Sequence, residues 1–420
     1  MSTSRTLALR LAAAAAVVFA TAWTSAAQDP TQPDVPALGP ASGPAADPAG
    51  SPPPAAPAAP AAQAAQPDTA AVNGFRVGGF TFKPGGRIKL DVIRDFKPIG
   101  NEDSFDTRTI PVDGSEGTNS NLIAKESRLS LDIRGEAEGK ELQMYLEGDF
   151  YGTSSAFRLR MAYGRWGGLL AGQTWSTFVD EDNMPRTIDF ESPTAFASIR
   201  QAQLRWTQKL TKSVTWYAAL EDNKSAITIP SGIPGKAEYP MPDLVTKFRF
   251  DFGSSHVSAA AFTGQAKFRP TEGDSDSVTL WGTMLSANFK PWGRDSIYGV
   301  VTYGDGIGRY RGGTTAVPDE FDQLHAVGGT AFMGGYEHFW SDRWSSNGVY
   351  SVGNASNEPF FTSAVSKELT YGAVNLLWWF LGDRGWMGVE YLYGHREVFA
   401  DTGDGGSAHR LQYAIRFNLP

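Results

Sequence analysis

The side chains that invite a chemical reading are arginines at alternate positions. Arg158 and Arg160 stand two apart in "AFRLRMAYG". Arg128, Arg134, Arg205, Lys247, Arg249 and Arg416 occupy similar places in other short segments. A guanidinium keeps its charge and grips a carboxylate through a planar fork of donors. Between residues 176 and 199 a long connection carries Asp180, Glu181, Asp182, Asp189 and Glu191, with Arg186 among them. Wall arginines facing loop acids would set up a transverse field that orients charged or dipolar solutes. That is the chemistry of binding and passage.

Bond-making chemistry finds little support. There is no cysteine, so disulfides, thiol catalysis and Cys-ligated zinc are excluded. The five histidines, His256, His325, His338, His395 and His409, lack ligand spacing. No Gly-x-Ser-x-Gly elbow is present. "GDGIGRYRGG" (304–313) has phosphate-loop glycines without the strand and helix they need, and reads as a flexible loop. We therefore expect no enzyme, no metal and no cofactor. A formal net charge of −8 leaves no footprint for nucleic acid.

The elements that position the arginines are short strands of period two. "SRLSLDIRG" puts Leu129, Leu131 and Ile133 opposite Arg128, Asp132 and Arg134. "AFRLRMAYG" puts Phe157, Leu159, Met161 and Tyr163 opposite Arg158 and Arg160. "DLVTKFRFDF" puts three phenylalanines opposite Lys247, Arg249 and Asp251, and "AHRLQYAIRFNLP" repeats the pattern around Arg416. Acids on the charged face, Asp132, Glu147, Asp149 and Asp251, are expected to pair with some of the basic groups.

Connections decide between a soluble sandwich and a membrane barrel. Tight ones such as "GRWGG", "DFGSS" and "WSDR" alternate with long ones around 95–126, 176–199, 222–241, 264–277, 304–327, 354–367 and 395–408. Short turns at one end and long loops at the other mark a transmembrane antiparallel β-barrel of about 16 strands, over residues 76–420. Tryptophans near strand ends (166, 175, 206, 216, 281, 292, 340, 344 and 386) suit interfacial girdles. About sixteen strands would enclose a water-filled lumen. Ahead of the barrel, residues 1–27 read as a signal peptide, with Arg5 and Arg10 before an apolar run ending near Trp23. Residues 28–75, rich in Ala and Pro, read as a disordered periplasmic tether. The tether also raises the alternative of an outer-membrane anchor that contacts peptidoglycan, and a barrel enzyme is the lesser alternative.

"GGRIKLDVIRDFKPIGNEDSF" (85–105), "SRLSLDIRG" (127–135), "YLEGDFYG" (145–152), "FRLRMAYGRWGGLLAGQTWSTFVD" (157–180) and "IRQAQLRWTQ" (199–208) resemble the DcaP-like outer-membrane porins. The resemblance covers most of residues 80–210. It implies a bacterial outer-membrane location, a homotrimer of sixteen-stranded channels among lipid, and small anionic solutes, dicarboxylates among them. In sixteen-stranded porins the third long loop folds inward, which here is 176–199. The expected solute path is Arg128, Arg134, Arg158, Arg160, Arg205 and Arg249, with the loop acids and Arg186 as the constriction. The chain departs from the pattern in its Ala/Pro extension and in ending at Pro420.

Overall fold

The computed structural model describes residues 74–223, 227–356, 365–399 and 405–419. The signal peptide reading, nearly all of the tether and Pro420 lie outside the described residues.

Nineteen strand segments join one antiparallel sheet that closes on itself. They form sixteen spans, because two spans are each split in two and one short segment, Phe75–Val77, folds back on the first. β1 is Phe80–Asp95. β2 is Asn119–Ile123 followed, after a break, by Arg128–Ala137. β3 is Lys140–Asp149, β4 Arg158–Trp166, β5 Leu169–Trp175, β6 Arg200–Lys209 and β7 Val214–Glu221. β8 is Asp243–Phe252, preceded by Gly235–Glu238, which pairs with β9. β9 is Ser255–Pro270, β10 Asp276–Phe289, β11 Ser296–Asp305 and β12 Gly328–Ser341. β13 is Trp344–Ala355, β14 Ser366–Phe380, β15 Gly385–Val398 and β16 Gly405–Asn418. β16 pairs with β1 from Arg87↔Asn418 to Asp95↔Arg410, which closes the barrel. In hydrocarbon, closure is what satisfies every strand edge. Among the described residues no helix is long and apolar enough to cross a membrane, and the strands do the crossing.

The seven tight connections lie at the end that also holds both strand termini. The β2–β3 turn is Glu138–Gly139, both at positive φ (53° and 70°), which matches the twist of a two-residue hairpin. At the other end two of the long connections anticipated from sequence shrink. β9 and β10 stay paired as far as Phe268↔Asp276, leaving only 271–275 as a loop. β15 runs to Val398 and β16 starts at Gly405. In both places the inward and outward alternation continues, so the backbone stays in the sheet.

The apolar face points outward. Leu129, Leu159, Phe248, Phe250, Phe252, Tyr413 and Phe417 are exposed, while Arg128, Arg160, Arg410, Gln412 and Arg416 are buried. Trp206, Trp281, Trp292, Trp340 and Trp344 are exposed, as a girdle requires. Trp175 and Trp386 correct the girdle reading. Each faces inward, paired across the sheet with an arginine, Arg200 and Arg416, whose guanidinium stacks on it at 4.7 and 5.2 Å.

A second correction lies in β4. The β3–β4 register shifts by one residue, pairing Met161 with Glu147 but Leu159 with Gly148. A bulge of this kind leaves an extra residue unpaired and reverses the facing of the strand beyond it. Arg158 and Arg160 stay inward, but Met161 and Tyr163 turn inward too, with Tyr163 5.5 Å from Tyr145.

The wide lumen is partly filled. Loops 96–118, 176–199 and 306–327 pack an apolar cluster inside the barrel, with Phe105, Ile110, Phe178, Ile307 and Tyr310 fully buried. Burying each such side chain contributes about 1.5–3 kcal/mol. The loops are thus held inside by a core of their own rather than lying in open water.

Candidate functional site

Loop 176–199 follows β5 and is laid along the inner wall in strand order. Lys247 Nζ on β8 donates to the Val179 carbonyl at 2.7 Å. His256 on β9 meets Asp180 at 2.9 Å, and Ser286 on β10 also donates to Asp180. Asn288 on β10 donates to the Asp182 carbonyl (2.9 Å), and Asn183 donates to the Gly299 carbonyl on β11 (2.6 Å). Arg186 pairs with Glu337 on β12 at 2.5 Å, and its carbonyl accepts from Asn375 on β14. Glu390 on β15 accepts from the amides of Ile188 and Asp189 at 2.9 and 2.7 Å. Arg410 on β16 reaches Asp189 at 3.0 Å, and Lys89 on β1 donates to the Ile188 carbonyl at 2.6 Å. At the loop's root Glu221 on β7 accepts from Ser176 and from the Thr177 amide, both at 2.6 Å.

Continuing from the end of this belt is a basic wall on β16, β1, β2, β4 and β6. Register places Arg416 beside Lys89, and Arg87 beside Arg128, with Arg128 next to Asp149 and Asp149 next to Arg158. Like charges directly opposite destabilise a sheet unless acids intervene. Glu126, delivered by the break in β2, pairs with both Arg87 and Lys89. Glu147 and Asp149 bind Arg160 at 2.8 and 2.7 Å, and Asp149 also binds Arg158 at 2.7 Å. Phe190 of the loop stacks on Tyr151 at 3.5 Å and lies under Arg158 and Arg160.

The residues singled out from sequence fall into three groups. Arg158, Arg205, Arg249 and Arg186 point inward and keep partial access to water, Arg158 with 29% of its side chain exposed. Arg128 and Arg160 point inward but are buried, and the Nε and Nη2 of Arg128 lack a partner. Arg134 is exposed near the tight-turn end, beside Asp132 and Glu141, and is not brought together with the others. Among the loop acids, Asp180 is buried on His256, Asp189 on Arg410 and Glu191 beside Arg108. Glu181 remains half-buried, with Arg205 and Lys247 as the nearest cations acting on it, and burial pushes its carboxyl up. Asp180, Asp182 and His256 bring their ligand atoms within 4.8 Å of one another. Arg249 fills the place a cation would take there, 2.5 Å from Asp182 and 3.9 Å from Asp180.

Sequence reasoning passed over the residues that hold the loops. Glu390 and Glu221 sit on the inner face of alternating strands, where only the period-two pattern marks them, while Arg410 is legible as an inward residue beside Arg416 but not as a loop anchor. Arg87 and Lys89 were visible as "RIKLDV" on the same face as Asp91. "GDGIGRYRGG" is no flexible loop. It forms a helical turn, Gly308–Arg311, whose Arg309 is buried against Asp243 at 2.5 Å.

The DcaP outer membrane protein family matches residues 76–419, well beyond the N-terminal half in which the resemblance was read. Among solved structures, the outer membrane channel DcaP of Acinetobacter baumannii is similar with a TM-score of 0.75 at 20% identity, covering 82% of this chain and 99% of that one. The trimer form of OmpT of Vibrio cholerae has a TM-score of 0.53 at 11% identity, covering 81% and 100%. OmpF of Salmonella typhi has 0.51 at 10%, covering 81% and 98%. A search by sequence among curated proteins finds no match. With the closed sixteen-stranded barrel, its folded-in loop and a family match along nearly all the described residues, the chain belongs to the DcaP outer membrane protein family, whose members are channels of the bacterial outer membrane.

Proposed function

We propose that this channel passes small hydrophilic solutes by diffusion and prefers anions, dicarboxylates among them. One observation carries the reading. At the level of the loop five guanidinium groups keep access to water, at Arg158, Arg186, Arg200, Arg205 and Arg249, against the half-buried carboxylates of Glu181 and Asp182. Most carboxylates there are turned into the wall, with Asp149, Asp180, Asp189, Glu221 and Glu390 all buried. Arginine suits carboxylates, and several weak, spaced contacts let a solute leave as well as enter. The chain's overall negative charge is no objection, because it sums groups on every surface. The role is transport without catalysis, in a homotrimer. Residues 1–27 serve export, and residues 28–75 are a periplasmic tether.

The test is a reversal potential across a planar bilayer in a salt gradient, followed by block with succinate. Arg158→Ala with Arg205→Ala should move the potential towards cation preference and weaken block. Arg160 is left intact because its loss would strand Asp149 and Glu147. A wild-type protein without anion preference at low salt, where screening is least, would overturn the reading.

A further inference from the structure

The helical turn in loop 306–327 carries two arginines with opposite surroundings. Arg309 is met by Asp243, by Asn223 and Gln201 at 3.2 Å each, and by the Asp222 carbonyl. Arg311, two residues on, has no carboxylate within ion-pairing distance and no side-chain hydrogen bond among the described residues, and its Nε is buried without a partner. Burial alone lowers its pKa, to about 10, with no acid to oppose the fall.

Space is nevertheless kept for its guanidinium. A Cβ at Gly353 on β13 would come 2.8 Å from Nη1, and one at Gly329 on β12 would come 3.0 Å from Nη2. Beside it lies a hollow of about 10 Å³ between the three inserted loops, bordered by Arg108, Glu191 and Thr194. That is room for about one water-sized group. Arg108 is already committed to Asp106 at 2.7 Å, to the Gly312 carbonyl at 2.5 Å and to Glu191 Oε1 at 3.3 Å. Glu191 Oε2, by contrast, is buried with no hydrogen-bond partner.

We propose that Arg311 and the hollow beside it form a capture site, at the loop end of the channel, for the carboxylate head of a small anionic solute. One carboxylate oxygen fills the hollow, and the guanidinium faces the anion. Glu191 supports this. Burial, with the charge of Asp106 adding and that of Arg108 opposing, pushes its carboxyl well above the usual range and so disfavours a second negative charge beside the hollow. The site stands in series with the arginine wall and rests on the anion-preferring reading.

Sidedness of block tests it. Succinate added to the loop side of wild-type channels in a bilayer should block them. Arg311→Gln should raise the half-blocking concentration from that side by about tenfold, the worth of one charge-assisted hydrogen bond. Block from the tight-turn side and the reversal potential should hardly change. Gly353→Ala, which crowds the guanidinium without removing it, should give the same loop-side loss. Heat-modifiable gel mobility like that of the wild type checks that both variants fold. Loop-side block retained within about twofold in both variants, or absent from the wild type, overturns the site. Failure of the anion-preferring reading would show elsewhere, in the wild-type reversal potential.

Discussion

Arg410 on β16 and Arg158 on β4 both point into the barrel. Arg410 has no exposed side chain and is met by Asp95, Asp189 and the carbonyls of Asn101 and Glu102. Arg158 keeps part of its side chain in water and shares a single carboxylate, Asp149, with Arg160. At the β16 end of the belt the basic group is saturated and serves to hold a loop. On the wall side basic groups outnumber the acids within reach. The lesson is that a charge on an inward face becomes an anchor or a contact for solute according to what lies across the lumen from it.

The sharpest way to break this contrast is Arg410→Ala. It leaves Asp95 and Asp189 buried without their cation, a loss of about 3–5 kcal/mol. The loop should detach near β16, seen as protease cleavage within 176–199 and a larger, noisier single-channel conductance. An unchanged conductance would mean the loop is held by its apolar core alone.

Acid should loosen the same belt from its other end. Burial acts to raise the carboxyl of Asp180, but the hydrogen bond from His256 and the charges of His256 and Lys247 outweigh it and hold the pKa at about 2. A folded-state value below the unfolded value of ~3.9 contributes stability above that pH, about 2–3 kcal/mol, and the contribution is lost as pH falls through about 2. Conductance noise should therefore rise between about pH 4 and pH 2. Asp180→Asn should flatten the change in that window, and a transition centred near pH 6 would contradict it.

Arg158→Ala should barely touch stability, by about 1 kcal/mol or less, because Asp149 keeps Arg160. Its effect should appear in reversal potential. Thermal unfolding as costly as that of Arg410→Ala would place Arg158 among the anchors. Smallest of all, Arg134→Ala removes exposed pairs with Asp132 and Glu141. It should change thermal stability by no more than about 0.5 kcal/mol and leave succinate block unaltered.

The barrel was legible because two signals are local: alternation within each strand, and turn length between strands. Phe248, Phe250 and Phe252 announce an outward face by themselves. The inserted loop was legible as a long acidic connection, but its attachments were not. Asp189 meets Glu390 and Arg410 through closure of the whole ring, and no local pattern encodes that pairing. The bulge at Arg160 was hidden for another reason. One extra residue does not disturb the alternation of "FRLRM", yet it moves Met161 and Tyr163 to the other face.

The belt of loop 176–199 has a mechanical consequence. A tube of sixteen strands without internal ties is easily squashed into an oval, because its hydrogen bonds run round the circumference and resist bending poorly. Here a single chain is fastened from β8 round to β1, in order, at nearly every strand it passes. It acts as an internal hoop that fixes the cross-section. The aperture is then a rigid gauge, and a solute passes by fitting it, since the ring cannot widen to let a larger one through.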